Sequence, residues 1–346
     1  MTLDVVSDLT FGRSFQMLQK PDMRFVGKAL MGTGRRMSIS FQFPAAFRQG
    51  SSRQWLGLGT WLLPNTNKLR SDWITVGGKW AMDRIEAEKH QANRNDMMSF
   101  IISAIDPETE QQLSVHEIMA EAYTLITAGG DTTSVAITST FFYLSRNPDA
   151  YAKAAAEVRS AFSSEEEIRT GPALSSCYYL RACLDEALRM SPPVSAPLYR
   201  EAGSGGASVC GTHFPEGLSC AVGTYAIHHN HIYFPEPFKY RPERWLKDEI
   251  STADTLQRAK TAFNPFSTGP RNCVAMNLAY MELTLTVARV LWLADFKIPE
   301  GPLGHIGEGH PSRGHGRHRV DEYQLYDHWG SAKEGPFLQF KTRIVT

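Results

Sequence analysis

Apolar residues recur at helical spacing through most of the first 190 positions, and the longest such segment lies near the middle of the chain. The segment opens with Ser114 and Glu117 at the spacing of a capping box and continues to Pro148, a helix breaker. This pattern predicts one helix of about 30 residues, roughly 45 Å long, that is apolar around most of its surface and therefore buried. Gly129, Gly130 and Asp131 interrupt it, and residues of these types are costly inside a buried helix.

The rest of the chain predicts further helices and a smaller β portion. Pro215, Glu216 and Gly217 form a turn signal between two short β-prone segments, which predicts a hairpin of 207–211 with 218–222. The chain is therefore expected to be mainly α with a small β portion. The expected helices are Ala150 to Phe162, Ser176 to Met190 and Val274 to Leu293, and terminal strands are expected between about Glu322 and Val345.

Composition narrows the class of protein. The chain has 346 residues, 42% hydrophobic and 21% charged, which is typical of a globular protein of one large or two smaller domains. The formal net charge is zero, so no nucleic-acid partner is expected. The five cysteines include no CxxC pair, which favours a reducing, intracellular location over a disulfide framework. No apolar run of 18 residues and no signal-peptide pattern is present, so we expect no transmembrane segment in this sequence.

Cys273 lies between a Gly-containing loop and the first turn of the predicted helix that begins at Val274. Unpaired N–H groups and the helix dipole favour an anion there, so the position suits a thiolate ligand of iron. Gly269 would allow close backbone approach, and Arg271 could reach an anionic group at the edge of a cofactor. The alternative is an ordinary structural cysteine.

The residues around Cys273 resemble a known signature. Phe266, Gly269, Arg271 and Cys273 stand at F-x-x-G-x-R-x-C in FSTGPRNCVA, which is similar to the haem-binding segment of the cytochrome P450 family. The resemblance implies that Cys273 is the axial ligand of a haem iron, and that Phe266, Gly269 and Arg271 contribute to haem binding. The family usually has Gly where this chain has Ala275.

Ala128-Gly129-Gly130-Asp131-Thr132 resembles the oxygen-activating segment on the family's long central helix. The resemblance implies that Gly129 opens a groove beside the iron and that Asp131 and Thr132 relay protons. The alternative is that the Thr132 hydroxyl merely bonds to a carbonyl of the preceding helical turn.

Three further segments match the family in the same order along the chain. Glu186 and Arg189 form the Glu-x-x-Arg pair, and Arg244 lies in the Arg-Pro-Glu-Arg-Trp segment, so the resemblance implies a buried structural network behind the haem loop. A solvated surface pair is the alternative for Glu186 and Arg189. Arg200 matches an arginine that often reaches a haem propionate.

The resemblance covers nearly the whole chain and implies a single, N-terminally incomplete cytochrome P450 domain, similar to fungal members that tailor secondary metabolites. The expected activity is monooxygenation of an apolar small molecule with haem b, dioxygen and electrons from NADPH through NADPH-cytochrome P450 reductase. Family members usually sit at the endoplasmic-reticulum membrane, so membrane contact is expected by resemblance only. The expected parts are an access-helix region (1–113), the long central helix (114–148), the Glu-x-x-Arg helices (149–206), the hairpin, haem loop and following helix (207–300), and a Gly/His-rich loop with terminal strands (301–346).

Other functions stay open at this point. A chain that lacks the family's anchor and early helices could be a catalytically impaired haem-binding remnant, or a reductase-independent haem-thiolate isomerase or dehydratase. His228, His229 and His231 could ligate zinc, and so could the histidines between Gly301 and Gly316, although a polar turn and a solvated loop are the simpler interpretations. The lining of a substrate channel is expected between about Met37 and Arg84.

Overall fold

The computed structural model describes residues 1–42, 64–90, 94–247 and 252–344. Contacts divide these residues into two compact units. The first unit contains Met1–Ser134 and Asp327–Ala332, and the second contains Val135–Tyr326 and Lys333–Thr346. The expected channel lining includes residues 43–63, which lie outside the described residues. The interpretation of the chain as one incomplete domain stays a prediction.

The first unit is helical and has an aromatic core. Phe11, Phe15 and Trp73 are buried together, and Trp73 meets Tyr123 edge to face with ring centroids 5.5 Å apart. Its helices are α1 (Thr2–Phe11), α2 (Phe25–Gln42), α3 (Pro64–Lys89), α4 (Met97–Ser103) and the first part of α5 (Val115–Arg146).

Helix α5 is the long helix that the sequence predicts, and its start has the predicted capping geometry. The Ser114 N–H donates to Glu117 Oε2 at 2.7 Å, and the Glu117 N–H donates to Ser114 Oγ at 3.3 Å. The helix ends at Arg146, two residues before Pro148. The capping box and the proline therefore set both ends within about a residue of the prediction.

The second unit packs the end of α5 against the helices that follow it. Its fully buried core includes Phe142, Leu184 and Leu291, and the aromatic rings of Tyr143 and Tyr240 stack 4.9 Å apart. The helices are α6 (Pro148–Ala161), α7 (Pro172–Ser175), α8 (Tyr178–Met190), α9 (Thr224–His228), α10 (Ala253–Ala262) and α11 (Met276–Leu293).

The strands are short and pair in antiparallel twos. β1 (Arg200–Glu201) pairs with β4 (Ser219–Cys220), β2 (Ala207–Val209) with β3 (Thr212–Phe214), and β5 (Ala294–Lys297) with β8 (Gln339–Thr342). β6 (Leu325–His328) pairs with β7 (Gly330–Lys333). A mainly α protein with a small β portion is therefore confirmed.

The predicted pairing of 207–211 with 218–222 is wrong. The chain turns earlier, at Cys210 and Gly211, which both have positive φ (50° and 79°). This two-residue turn returns β2 directly onto β3, as turns with two left-handed residues do. The Pro215-Gly217 turn instead leads into β4, whose partner β1 precedes the hairpin.

The stretch from Gly301 to Gly316, called here the Gly/His segment, is attached to the C-terminal end of α5. Arg146 donates to the carbonyl of Gly304 at 2.7 Å and to Glu308 Oε1 at 2.8 and 3.0 Å. The segment from Pro311 to His315 is exposed. Within the described ranges, no three His, Cys, Asp or Glu side chains lie close enough to hold a metal ion, so the structure gives no support for the zinc alternatives.

None of the helices described here is long and apolar enough to cross a membrane.

Candidate functional site

A buried ionic cluster forms around Glu186 in the second unit. Arg189 binds the carboxylate with two hydrogen bonds of 2.9 Å, from Nε to Oε2 and from Nη2 to Oε1. Arg244 Nε donates to Oε1 at 3.3 Å. The Glu186 and Arg189 side chains are 0% exposed and that of Arg244 is 3% exposed. The structure thus brings the three predicted network residues together in the core, and the solvated-pair alternative does not hold.

The carboxylate of Glu186 is fully engaged. The Arg241 N–H donates to Oε1 at 3.1 Å and the Trp245 indole donates to Oε2 at 3.0 Å. Burial alone would raise the pKa of Glu186, but the charge and hydrogen bonds of Arg189, with the charge of Arg244, outweigh it and hold that pKa below its usual value. The carboxylate therefore stays ionised and can serve as a fixed anchor for both guanidiniums.

The arginines extend the cluster to backbone carbonyls of the segment before the Arg-Pro-Glu-Arg-Trp motif. Arg189 Nη1 donates to the carbonyls of His228 and Pro237, both at 2.8 Å. Arg244 Nη1 donates to the carbonyl of Pro235 at 2.9 Å. Buried guanidinium donors thus fix the course of an irregular segment that has no regular backbone pairing of its own.

The loop that carries Cys273 runs from Phe263, after α10, to the start of α11. The Cys273 N–H donates to the carbonyl of Phe266 at 2.8 Å and closes the loop on itself. Ser267 and Gly269 both have positive φ (62° and 74°). A side chain at Gly269 would meet no atom within 4 Å, so it is the backbone conformation that favours glycine there.

Cys273 lies just before α11, and its side chain is exposed. The helix begins at Met276 and not at Val274 as predicted, because 274 and 275 form a turn. Val274 is 97% exposed. Ala275, where the family signature usually has Gly, has φ −91°, which is an ordinary conformation for an L-residue.

The other predicted cofactor-binding residues of the second unit lie around this loop or on β1. Phe266 is half-buried and packs on Tyr280 of α11, with ring centroids 5.0 Å apart. Arg271 is exposed, and the exposed Arg200 donates to the carbonyl of Tyr199 at 2.9 Å. Neither arginine has a carboxylate partner among the described residues.

Gly129, Asp131 and Thr132 lie on α5 in the first unit. Thr132 Oγ1 donates to the carbonyl of Ala128 at 2.6 Å, which is the back-bonded arrangement of the simpler interpretation. A Cβ at Gly129 would lie 3.0 Å from Val6 of α1, so close packing of the two helices is a reason for glycine at this position. The catalytic roles of the three residues stay predictions.

The comparisons with known proteins agree with this picture. The model of the family described as "Cytochrome P450" matches residues 1–304. The chain is 42% identical to the cytochrome P450 monooxygenase apf8 of Gibberella fujikuroi over 99% of this chain and 89% of that protein. It is 39% identical to the cytochrome P450 monooxygenase AKT7 of Alternaria alternata, over 98% of this chain and 64% of that protein.

Among solved structures, the chain is similar to one described as a cytochrome P450DA haem domain, with a TM-score of 0.71 and 19% identity. The likeness covers 99% of this chain and 66% of that one, and it shows the fold. A helical fold with a cysteine loop before a long helix defines the class as haem-thiolate proteins. The chain belongs to the cytochrome P450 family and is an oxidoreductase of that family.

The family implies a haem iron, and the residues of the Cys273 loop fit it. An exposed thiol is the donor that the family's iron uses, and the adjacent Val274 offers apolar surface to a flat ring. Arg271 and Arg200 present guanidiniums without carboxylate partners, as acidic groups on a ring edge require. The donor set therefore matches haem.

Sequence reasoning missed two members of the buried cluster. One is Trp245, whose indole completes the bonding of Glu186. The other is His228, which is fully buried and hydrogen-bonded to both Arg189 and Asn264. The available signal was their position in sequence, because both follow the Glu-x-x-Arg pair and precede the Cys273 loop.

Proposed function

We propose that this chain is a haem-thiolate monooxygenase of fungal secondary metabolism that oxidises an apolar small molecule. The observation that carries the proposal is the exposed Cys273 thiol, presented by a self-closed loop and braced by a buried ionic cluster. The relatives named above support it because their names describe monooxygenases. The haem, when bound, would supply the activation of dioxygen.

Cys273 is the residue that would hold the iron. Its backbone N–H is already used by the Phe266 carbonyl, so the loop is fixed independently of the cofactor. Arg271 and Arg200 would pair with the propionates through charge-assisted hydrogen bonds. Glu186, Arg189 and Arg244 do not touch the cofactor in this proposal; they brace the segment behind the loop.

Asp131 and Thr132 would deliver protons. Thr132 Oγ1 now donates to the Ala128 carbonyl, and rotation about the side-chain bond would free its proton for transfer. The carboxyl group of Asp131, the preceding residue, would replace that proton. An acid-alcohol pair of this kind favours oxygen chemistry over the isomerase or dehydratase alternative, whose members often lack it.

The electrons would come from NADPH through a cytochrome P450 reductase, and the substrate would be an apolar small molecule. These two assignments rest on family membership.

The test is the ferrous carbon monoxide spectrum of the purified, haem-loaded chain. We expect a thiolate-type red-shifted Soret band in the wild type, its loss in Cys273→Ala, and its retention in Cys210→Ala, which removes another exposed cysteine. A thiolate band that survives Cys273→Ala would overturn the ligand assignment. Substoichiometric haem in the wild type would instead favour the impaired remnant.

A further inference from the structure

The triplet His228, His229 and His231 remains after the haem-thiolate function has taken up the other motifs. His228 is 0% exposed, whereas His231 is exposed. His229 is mostly covered and stacks on Tyr225, with ring centroids 4.0 Å apart. The three imidazoles therefore occupy different environments, and only the first lies in the core.

Both ring nitrogens of His228 are used. Nδ1 lies 3.2 Å from the carbonyl of Arg189, and Nε2 lies 3.0 Å from the backbone N of Asn264. A carbonyl can only accept and an N–H can only donate, so this geometry assigns the proton to Nδ1 and the lone pair to Nε2. The neutral imidazole satisfies both partners, and no lone pair is left for a metal ion.

On one side, His228 is locked to the ionic cluster. Arg189 Nη1 donates to the His228 carbonyl at 2.8 Å, while His228 Nδ1 donates to the Arg189 carbonyl. The two residues therefore bind each other through a side chain and a backbone carbonyl in each direction. The position of the imidazole is set by the same guanidinium that binds Glu186.

On the other side, His228 holds the beginning of the Cys273 loop. Its ring stacks on Phe263 with centroids 5.4 Å apart, and its Nε2 accepts the N–H of Asn264, the next residue. The loop continues with a turn in which the Ser267 N–H donates to the Asn264 carbonyl at 3.0 Å, and it closes with the Cys273 N–H on the Phe266 carbonyl. A short series of hydrogen bonds thus runs from Arg189 to Cys273.

We propose that His228 is a positioning residue that transmits the placement of the Glu186–Arg189–Arg244 cluster to the Cys273 loop. The inference rests on the proposed function only in taking Cys273 as the iron ligand. Because the imidazole is fully buried, water cannot replace its acceptor, and loss of that acceptor leaves the Asn264 N–H without a partner. The depressed pKa of His228, about 4 because burial and then the Arg189 charge disfavour its charged form, agrees with a neutral ring.

The test compares three substitutions at this position by hydrogen-deuterium exchange. His228→Gln places an amide oxygen where Nε2 lies, His228→Asn has a polar group only near the Nδ1 position, and His228→Phe keeps the ring without its nitrogens. We expect exchange at Asn264 and along the loop to Cys273 to quicken on the order of tenfold in the Asn and Phe variants. His228→Gln is expected to restore most of the protection, and the exposed His231→Gln is the matched control.

A second readout follows the same proteins loaded with haem. The fraction of the ferrous carbon monoxide complex with a thiolate-type band is expected to fall in His228→Asn and to stay near the wild-type fraction in His228→Gln and His231→Gln. Equal exchange and equal thiolate fractions in the Gln and Asn variants would overturn the proposal. Survival of the thiolate band in Cys273→Ala would remove the iron assignment but leave the exchange result standing, so the two failures are distinguishable.

Discussion

The indole Nε1 of Trp245 donates a 3.0 Å hydrogen bond to Glu186 Oε2, the carboxylate oxygen that also accepts Arg189 Nε. One buried carboxylate therefore connects α8 to the Arg-Pro-Glu-Arg-Trp segment through a guanidinium, an indole and the N–H of Arg241. The cluster depends on this single anion, and each of its donors can be removed separately.

Glu186→Ala is expected to destabilise the second unit by about 3–5 kcal/mol, because it leaves two buried guanidiniums without their counter-ion. The measurement is urea unfolding followed by circular dichroism. Lys239→Ala, which removes one partner of an exposed ion pair with Glu236 in the same unit, is the control and should leave the unfolding midpoint nearly unchanged. Equal midpoints for the two variants would contradict the central role of Glu186.

Trp245→Phe is expected to cost less, about 1–2 kcal/mol. The substitution removes the indole donor but keeps an aromatic ring beside Phe263, which lies 4.5 Å away between centroids. The same unfolding experiment measures it. A loss as large as that of Glu186→Ala would show that ring packing, and not the hydrogen bond to Glu186, dominates at this position.

Gly130→Ala is expected to destabilise the first unit, although Ala is normally the better helix former. A Cβ at Gly130 would overlap Leu3 Cδ2 of α1. Gly27 is also helical and also faces Leu3, but there a Cβ would lie at a comfortable 3.9 Å. Gly27→Ala should therefore be neutral or stabilising by about 0.5–1 kcal/mol. Thermal unfolding of the two variants compares the opposite signs directly.

Thr132→Ala is expected to uncouple the enzyme if the Thr132 hydroxyl carries the proton. More hydrogen peroxide would be released for each NADPH oxidised, a ratio that can be measured without knowing the natural product. Thr132→Ser keeps the hydroxyl and should retain a ratio near that of the wild type. An unchanged ratio in Thr132→Ala would reject the proton relay.

Stability is expected to fall as the solution is acidified from about pH 6.5 towards pH 4. Burial, followed by the Arg189 charge, lowers the pKa of His228 from 6.5 to about 4 and that of His229 to about 3. Below pH 6.5 the unfolded chain takes up protons that the folded chain cannot, so stability present above that pH is lost. For His228 the loss between pH 7 and pH 5 is roughly 2 kcal/mol.

The pH prediction is checked by urea unfolding of the wild type and His228→Gln at both pH values. Other groups titrate in the same range, but they are common to both proteins, so the difference isolates His228. Parallel curves for the two proteins would contradict the depressed pKa.

The long helix and the ionic cluster were predictable because their signals are local or fixed in type. Ser114, Glu117 and Pro148 mark the limits of α5 by hydrogen bonding and sterics that depend on nearby residues only. Glu186, Arg189 and Arg244 are charged side chains whose burial requires partners of opposite charge.

The hairpin and His228 were not predictable on the same basis. The β2–β3 turn depends on Cys210 adopting a positive φ, which its residue type does not favour. The strands are only two to four residues long, too short for alternation to set their pairing. His228 is distinguished from His231 by burial among Phe234, Phe263 and Arg189, and three adjacent imidazoles in a sequence carry no information about that difference.

The attachment of the Gly/His segment to Arg146 has a practical consequence. Since Gly304 and Glu308 are fixed to the end of α5 while Pro311 to His315 are exposed, the outer part of the segment is a suitable insertion point for an affinity tag or a fluorophore. A label placed there would report on the orientation of the long helix's C-terminal end without burdening the core.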